Sequence, residues 1–299
     1  MDEPDIVDAV DADDAFGVLS DETRIEVLRA LWDADDREAT FSELRDAVGM
    51  RDSGQFNYHL GTFDGQFVAE TDDGYRLTTA GAQLVGALLS GAYTQTLDVD
   101  TVEMADDCPR CGSSLSFTYD DGTAEIGCDD CPHVNHFLVP PGAFAGYDAA
   151  AYPRVAARYG RKFVRSSRDG FCPLCDGRMA ETVLPLASTV EADDVPAWVE
   201  NVPTCRFDCE RCGEVVVADL GTTLAEHPAV VSFHHERGVD VSGEPLWRFT
   251  ALDTDSARFE RRDPVRASVT YEAGGDELAV TVDESLSVVE TTIEPGTGG

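Results

Sequence analysis

The chain has 299 residues, of which 42% are hydrophobic, so it is long enough for two or three domains and apolar enough to bury real cores. It carries 58 acidic side chains against 22 basic ones, a net charge of −36 that is spread along the chain. This spread favours adaptation to high salt over an acidic mimic of nucleic acid or a partner of a basic protein, because interaction tails come in blocks. Since molar salt screens charges beyond about 3 Å, the net charge does not exclude nucleic acid as a partner.

The N-terminus and the hydropathy favour neither export nor a membrane. Residues 1–5 are acidic where a secretory signal is basic, and the most apolar stretch, 80–93, is too short to span a bilayer. We therefore expect a soluble cytoplasmic protein without a membrane partner. In a reducing compartment, nine cysteines in paired spacing indicate metal binding rather than disulfides.

Two helices are expected first along the chain. Ser20 is positioned to cap a helix that continues through an apolar stripe. Thr40 and Glu43 have the spacing of a capping box, which predicts a second, short helix that stops at Gly49.

A third helix is expected to begin near Asp52 or Ser53, with Phe56, Leu60 and Phe63 on one apolar face. The other side is polar, and no acidic residue occurs from Ser53 to Phe63. In a major groove, Gln and Asn pair with adenine and Arg reaches guanine or phosphate. The candidate contact residues here are Arg51, Gln55, Asn57, Tyr58, His59 and Thr62. The alternative is an ordinary amphipathic helix with a polar outer face.

A hairpin over residues 67–78, with the acidic turn Asp72-Asp73-Gly74, is expected next. A long helix is then expected from Thr79 to about Gln95. Helix, helix-turn-helix, hairpin and helix in this order make a winged helix.

Two motifs within residues 12–95, LSDETR at 19–24 and SGQFNYHL at 53–60, resemble the ArsR-type winged helix-turn-helix transcription regulators, in the form abundant in halophilic archaea. The resemblance implies double-stranded DNA as a partner and a homodimer formed through the first and last helices of the segment. It implies DNA contacts from Ser53, Gln55, Asn57, Tyr58 and His59, with Arg76 near the DNA backbone. Residues 1–95 contain no cysteine, so the thiolate sensor site of this family is not expected.

The next segment has the pattern of a zinc ribbon. Cys108 and Cys111 are followed by a strand, an Asp-Gly turn and a second strand, and then by Cys128 and Cys131. Two such pairs supply the four thiolates of a tetrahedral zinc site. Two histidines that follow, His133 and His136, are interpreted as ordinary polar residues because four cysteines already close the site.

A second quartet is more widely spaced and predicts a second structural zinc ion. Its ligands are Cys172, Cys175, Cys209 and Cys212. Cys205 is the odd thiol, either an alternative ligand or, as we favour, a small buried hydrophobe. Structural sites of this kind leave no open coordination position, so they do not indicate metal catalysis.

Between the two quartets, residues 144–167 have helical tendency. This segment and the residue directly after it hold the chain's only basic cluster. The cluster consists of Arg154, Arg158, Arg161, Lys162, Arg165 and Arg168. Contact with nucleic acid and ion pairing with the acidic surface are both open interpretations. From Glu244 onward the alternation predicts strands at 246–250, 265–271, 277–282 and 286–293, with a hairpin turn at Gly274-Gly275.

These patterns predict an α+β multidomain protein. The expected domains are a winged helix at 1–95, a first zinc ribbon at 96–140, a second with a helical insertion at 141–243, and a β-rich region with a flexible tail at 244–299. The expected function is a sequence-specific DNA-binding transcription regulator with a zinc-stabilised effector half. The alternatives are a zinc-ribbon scaffold that binds protein partners of the transcription machinery, or an RNA-binding factor. An enzyme is not expected, because His227, His234 and His235 lack an accompanying nucleophile or carboxylate pattern.

Overall fold

The computed structural model describes residues 11–63, 65–131, 133–189, 197–251 and 255–296. It is a mixed helix-and-sheet structure that divides into two compact units, Met1–Gln95 and Thr96–Gly299. The three segments expected beyond residue 95 all lie in the second of these units. The C-terminal residues 297–299, for which a flexible tail was expected, are outside the described residues.

The first unit combines helices with a small antiparallel sheet of strand order β1-β3-β2. Its elements are α1 (Ala12–Val18), α2 (Glu22–Asp33), β1 (Glu38–Ala39), α3 (Phe41–Ala47), α4 (Ser53–Thr62), β2 (Val68–Glu70), β3 (Tyr75–Leu77) and α5 (Thr79–Leu89). Helix α1 and strand β1 were not expected from the sequence. Strand β1 pairs with β3 on the side opposite β2 and so adds a third strand to the expected hairpin.

Local hydrogen bonds explain where these helices begin and end. The capping box at α3 is confirmed: the Glu43 carboxylate accepts from the N–H of Thr40 at 2.8 Å, and the Glu43 N–H donates to the Thr40 hydroxyl at 3.3 Å. Ser20 as the cap of α2 was wrong, because the carboxylate of Asp21 accepts from the N–H of Arg24 at 3.3 Å. The expected extension of α5 to Gln95 was also wrong. The helix ends at Leu89, and Gly91 then adopts a φ of +73°, a conformation that ends helices.

The core of the first unit lies between α2, α4 and the sheet. Val27, Leu28 and Leu31 of α2 are fully buried against Phe56 and Leu60 of α4. The apolar stripe expected on α4 therefore faces the interior, and the opposite side of that helix faces solvent.

The second unit begins with an antiparallel sheet of order β4-β5-β6-β7. Its strands are β4 (Val102–Asp107), β5 (Ser114–Asp120), β6 (Thr123–Cys128) and β7 (Val134–Leu138). The hairpin β5–β6 is the one expected between the first two cysteine pairs, and β4 and β7 extend it on both edges. Helix α6 (Tyr152–Arg168) follows and approaches β7 closely, since a Cβ on Gly160 would lie 2.0 Å from the ring of Phe137.

Two further sheets complete this unit, with strand orders β10-β9-β8 and β11-β12-β13-β14. Their strands and the helices between them are β8 (Met179–Pro185), β9 (Pro203–Cys209), β10 (Val215–Asp219), α7 (Leu220–Leu224), α8 (Pro228–His235), β11 (Ala257–Arg262), β12 (Val265–Ala273), β13 (Asp276–Asp283) and β14 (Val288–Glu294). Short 3₁₀ turns occupy Asp35–Arg37, Pro141–Phe144, Ala149–Ala151, Leu186–Thr189, Ala197–Asn201 and Leu246–Arg248. The hairpin turn at Gly274-Gly275 is confirmed, with both glycines at positive φ.

The segments of the second unit share their cores. Phe207 of β9 packs in one cluster with Val269 and Val280 of the C-terminal sheet. Trp247 packs in the other cluster, with Phe117 of β5. The prediction of a strand at 246–250 was wrong. Leu246–Arg248 form a 3₁₀ turn after Pro245, and this turn places the Trp247 side chain in the core beneath the β4–β7 sheet. Among the described residues, no helix combines the length and the apolar character that crossing a bilayer requires.

Candidate functional site

Eight cysteines form two quartets in the second unit. Cys108, Cys111, Cys128 and Cys131 form one quartet, and Cys172, Cys175, Cys209 and Cys212 form the other; within each quartet all sulfurs lie within 4.8 Å of one another. In the first quartet the Sγ–Sγ distances are 3.6 Å for Cys108–Cys131 and 3.5 Å for Cys111–Cys128. In the second they are 3.7 Å for Cys172–Cys212 and 3.6 Å for Cys175–Cys209. A tetrahedral ion bound to sulfur at about 2.3 Å has sulfur–sulfur edges of about 3.8 Å, so both quartets have the dimensions of a four-thiolate metal site.

All four cysteine pairs are held by the same backbone turn. The N–H of the first cysteine in each pair donates to the carbonyl five residues later, as in Cys108 to Ser113 at 2.7 Å and Cys172 to Gly177 at 2.8 Å. The same bond joins Cys128 to His133 at 3.0 Å and Cys209 to Glu214 at 2.8 Å. This turn brings the two sulfurs of each pair to one side, and the strands of each sheet then bring two turns together.

The second quartet shows two further features of a metal-thiolate site. The Sγ of Cys209 accepts from the N–H groups of Arg211 and Cys212, both at 3.4 Å, as a thiolate does. A Cβ at Gly177 would lie 3.1 Å from the sulfurs of both Cys175 and Cys209. The same Cβ would lie 2.7 Å from the Cβ of Arg211, so a side chain at this position would crowd both Arg211 and the sulfurs. The glycine two residues after Cys175 is therefore a second sequence signal for this site, in addition to the cysteine spacing.

The thiols of each quartet do not titrate alike. Hydrogen bonds from the side chain and backbone of Ser113 lower the pKa of Cys111 to about 6. Burial, by contrast, raises the pKa of Cys131 to about 12. The N–H of Cys212 lowers the pKa of Cys209 to about 6. In the first quartet Cys131 therefore keeps its proton at neutral pH when no cation is bound, and a metal ion that binds there displaces that proton. The donor sets are compatible with two structural metal ions.

Cys205 is not part of either quartet. Its side chain is completely buried in the core shared by the β10-β9-β8 sheet and the β11–β14 sheet. This burial raises the pKa of its thiol to about 12. This confirms the interpretation of Cys205 as a small buried hydrophobe. His133 and His136 are also outside the quartets. His133 is buried, and His136 lies 3.4 Å from the carboxylate of Glu125.

The three histidines near α8 have separate structural environments. The Nδ1 of His227 accepts from the N–H of Ala229 at 3.3 Å and caps the helix. His234 is buried, with Nδ1 2.8 Å from the carbonyl of Val230. His235 is exposed.

The outward side of α4 contains most of the expected nucleic-acid contacts. Arg51, Ser53, Gln55, Asn57 and Tyr58 are all exposed, and Tyr58 is 69% exposed. The carboxylate of Asp52 is held at the helix start, where it accepts from the N–H of Gly54 at 2.8 Å and of Gln55 at 2.9 Å. From Ser53 to Thr62 the helix presents polar and aromatic groups without an acidic side chain.

The prediction that His59 is an exposed DNA contact was wrong. It is buried, and its Nδ1 lies 3.5 Å from the carboxylate of Asp21 at the start of α2. The helical period explains the error, because position 59 is three residues after Phe56 and four before Phe63. His59 therefore lies within the apolar stripe, and its ring is buried close to Asp21 without a hydrogen bond at Nδ1.

Two other candidate groups lie elsewhere. Arg76 is exposed on the middle strand β3. The turn that joins β2 to β3 carries Asp72 and Asp73, which are also exposed. In the basic cluster of α6 the structure shows ion pairing. Arg154 lies 3.5 Å from Asp106, and Arg161 and Arg165 both pair with Glu226, at 3.5 Å and 3.7 Å.

Comparison with protein families gives one match in each structural unit. Residues 105–288 match a family model described as a domain of unknown function (DUF7351), and residues 12–88 match a second one, also described as a domain of unknown function (DUF7347). No curated protein and no solved structure matches the chain.

Proposed function

We propose that this chain, which belongs to the family of the domain of unknown function DUF7351, is a sequence-specific DNA-binding transcription regulator. The family description states no activity, so the proposal is argued from the geometry of the chain. In this proposal, α4 of the first unit reads the DNA, and the second unit is an effector half held together by two structural zinc ions. The role is regulatory rather than enzymatic, since saturated thiolate sites leave no position for a substrate.

One observation carries this proposal, the exposed side of α4. Gln55 and Asn57 carry amide groups that pair with adenine, and Arg51 supplies a guanidinium for guanine or phosphate. The helix is anchored from below by Phe56 and Leu60, which are buried. In a chain of net charge −36, a ten-residue helix free of carboxylates on its outward side favours approach to a polyanion.

The order of elements in the first unit further supports a winged helix-turn-helix. Helices α3 and α4 are consecutive and joined by a short segment, as in a helix-turn-helix. The hairpin β2–β3 follows them in the position of a wing, with Arg76 exposed on it. The turn of the wing carries the acidic residues Asp72 and Asp73, which repel phosphate. Contact with the DNA backbone is therefore expected from Arg76 on the strand and not from the turn.

A homodimer is part of the proposal. Phe16 of α1 is 70% exposed, Leu89 at the end of α5 is 53% exposed, and Tyr93 is 83% exposed. Phe16 and Leu89 lie on the first and last helices of the unit, and Tyr93 follows the last one. Large exposed side chains of this kind are expected to be covered by a second copy. Two copies would place two α4 helices for a DNA site with two half-sites.

Zinc is the metal that this donor set favours, since four thiolates in tetrahedral spacing are typical of structural zinc. When bound, zinc supplies cross-links between distant segments of a small sheet. The eight quartet cysteines would hold the two ions.

The proposed DNA contact is tested by electrophoretic mobility shift in molar potassium chloride. Genomic fragments retained by the protein are first selected, and the double variant Gln55→Ala with Asn57→Ala is then compared with the original chain. Each amide that pairs with a base contributes about 1–3 kcal/mol of discrimination, so we expect specific retardation to weaken at least tenfold. The metal content should be unchanged.

Gln83→Ala is the matched control, because Gln83 is an exposed amide of the same unit on α5. It should leave retardation unchanged. Equal retardation by the double variant and the original chain would show that α4 does not read DNA.

A protein-binding scaffold is the second candidate, and exposed apolar side chains at the second quartet favour it. Phe171 is 58% exposed and Leu174, which lies between Cys172 and Cys175, is 59% exposed. A partner of the transcription machinery would cover them. If the scaffold alone is correct, Phe171→Ser with Leu174→Ser abolishes co-purification of a partner, and no DNA fragment is retained by the original chain.

A further inference from the structure

A cavity of about 300 Å³ lies in the second unit, between the C-terminal half of α6 and the segment that joins α7 to α8. Three arginines of α6 line one side of it, Arg161, Arg165 and Arg168. Thr222 and His227 line the other side. Apolar groups, among them Val164, Ala225 and Leu246, form part of the wall.

The three arginines belong to a stripe along one face of the helix. Arg154, Arg158, Arg161, Arg165 and Arg168 follow one another at spacings of four and three residues, which keep them on the same side. The chain has 22 basic residues among 299, so five on one helix face are a strong local concentration. The last three border the cavity.

Few of the guanidinium donors are used within the protein. A guanidinium has five N–H donors. Arg161 donates to the carbonyl of Glu244 at 2.7 Å and to Glu226 at 3.5 Å. Arg168 donates to the carbonyl of Thr223 at 2.9 Å. Among the described residues, none of the nitrogens of these arginines is both buried and without a partner, so their remaining N–H groups face the cavity or solvent.

Arg165 is the least restrained of the three. Its side chain is 69% exposed, and its Nε lies 3.7 Å from Glu226 and 3.8 Å from Asp169, longer than the 2.7–2.9 Å or so of a close charged pair. Arg161 is 14% exposed and fixed by its bond to Glu244. The cavity therefore combines one anchored guanidinium with one that can move toward a ligand.

His227 adds a neutral donor. Its Nδ1 is occupied by the N–H of Ala229, so the proton of the neutral ring is on Nε2. Burial and the neighbouring Arg168 lower the pKa of His227, which keeps this ring neutral. The acidic groups that face the same cavity are Glu226 and Asp169. They offset two of the three guanidinium charges and leave one in excess.

We propose that this cavity binds a small organic anion whose carboxylate or phosphate group is held by Arg161, Arg165 and Arg168. In the bound state the anion takes the place of Glu226 beside Arg165, and its apolar part lies against Val164 and Leu246. The cavity is concave and has two carboxylates on its wall, which favours a compact ligand over an extended nucleic-acid backbone.

Binding is tested by titration calorimetry on the full chain in molar potassium chloride. The probes are pentanoate and butyl phosphate, which have the same butyl tail and differ in the charged group. Butanol is the neutral control. We expect saturable heat with at least one of the two anions and none with butanol, and the tighter anion identifies the charged group of the natural ligand.

Two substitutions with opposite expected effects locate the site. Arg165→Gln should weaken binding about tenfold, since it removes a charged donor. Glu226→Gln should strengthen binding by a similar factor, because it removes the carboxylate that competes with the anion. The matched control is Arg258→Gln on β11, an exposed arginine paired at 2.8 Å with Glu260, which should change nothing.

Absence of saturable binding by both anions would overturn the proposal. So would equal affinities in the Arg165→Gln variant and the original chain, or a loss of affinity in Glu226→Gln. These results are independent of DNA retardation, so the cavity and the function proposed for α4 can fail separately.

Discussion

Two glycines of α5 differ in what surrounds them. A Cβ on Gly81 would lie 2.1 Å from the carbonyl oxygen of Phe67 and 3.1 Å from the side chain of Leu77. A Cβ on Gly86 would meet nothing within 4 Å. The Phe67 carbonyl also accepts from the N–H of Thr78 at 3.0 Å, so it cannot move aside without losing that bond.

Substitution of each glycine by alanine should therefore change stability in opposite directions. Gly81→Ala forces α5 away from the hairpin and should lower the free energy of unfolding of the first unit by about 2 kcal/mol. Gly86→Ala should raise it by about 0.5–1 kcal/mol, because alanine restricts the unfolded chain and fits the helix. Hydrogen exchange of peptides from residues 11–63 reports this unit separately. Equal protection in the two variants would contradict the close approach at Gly81.

Single residues also show which local features the sequence determines. The Thr40–Glu43 box was predictable because both partners are local, within three residues. The position of His59 was predictable in principle from its spacing to Phe56 and Phe63, although its polar side chain suggested the opposite face. The cap of α2 moved by one residue, from Ser20 to Asp21, since both side chains are suitable caps.

Elements made by distant pairing were harder to predict. Strand β1 has two residues and exists through its pairing with β3, 36 to 38 residues later in the chain. Strands β4 and β7 likewise form on the edges of a hairpin that was itself expected. At Leu246–Arg248 the apolar alternation favoured a strand. The segment forms a 3₁₀ turn instead, because this buries Trp247 beside Phe117 in the core of the β4–β7 sheet. The cysteine spacing, by contrast, placed all eight quartet residues correctly.

At the level of helices, the proposed dimer depends on α1 and α5. Phe16→Ser removes the largest exposed apolar side chain of α1 and should shift the protein from dimer to monomer at micromolar concentration, since a central aromatic contact contributes about 2 kcal/mol or more. Sedimentation equilibrium in molar salt measures this shift directly.

The control for that experiment is Phe171→Ser, which changes another exposed phenylalanine, 58% against 70% for Phe16, in the other unit. It should leave the mass unchanged. If the original chain sediments as a monomer, or if Phe16→Ser remains dimeric, α1 is not the contact surface. DNA retardation by α4 is a separate measurement, so loss of the dimer alone should reduce affinity without removing base preference.

Across the whole molecule, the cysteines that form the two quartets all lie in one unit. Residues 1–95 contain no cysteine, and all eight quartet cysteines lie between 108 and 212. Cys172 and Cys209 are also part of the core that includes Val269 and Val280 of the C-terminal sheet. The metal at the second quartet should therefore stabilise β12 and β13, although neither strand contributes a ligand.

Removal of that metal should consequently unfold part of the chain and leave the rest folded. We expect elemental analysis to find two zinc ions per original chain and one in Cys212→Ser, which removes an exposed ligand of the second quartet. In this variant, limited proteolysis should cleave the C-terminal sheet, while the first unit stays resistant because its core contains no ligand. Cys205→Ser is the control, since its thiol lies outside both quartets, and it should retain both ions. A count of two ions in Cys212→Ser, or cleavage that begins in residues 11–63, would contradict a metal role limited to the second unit.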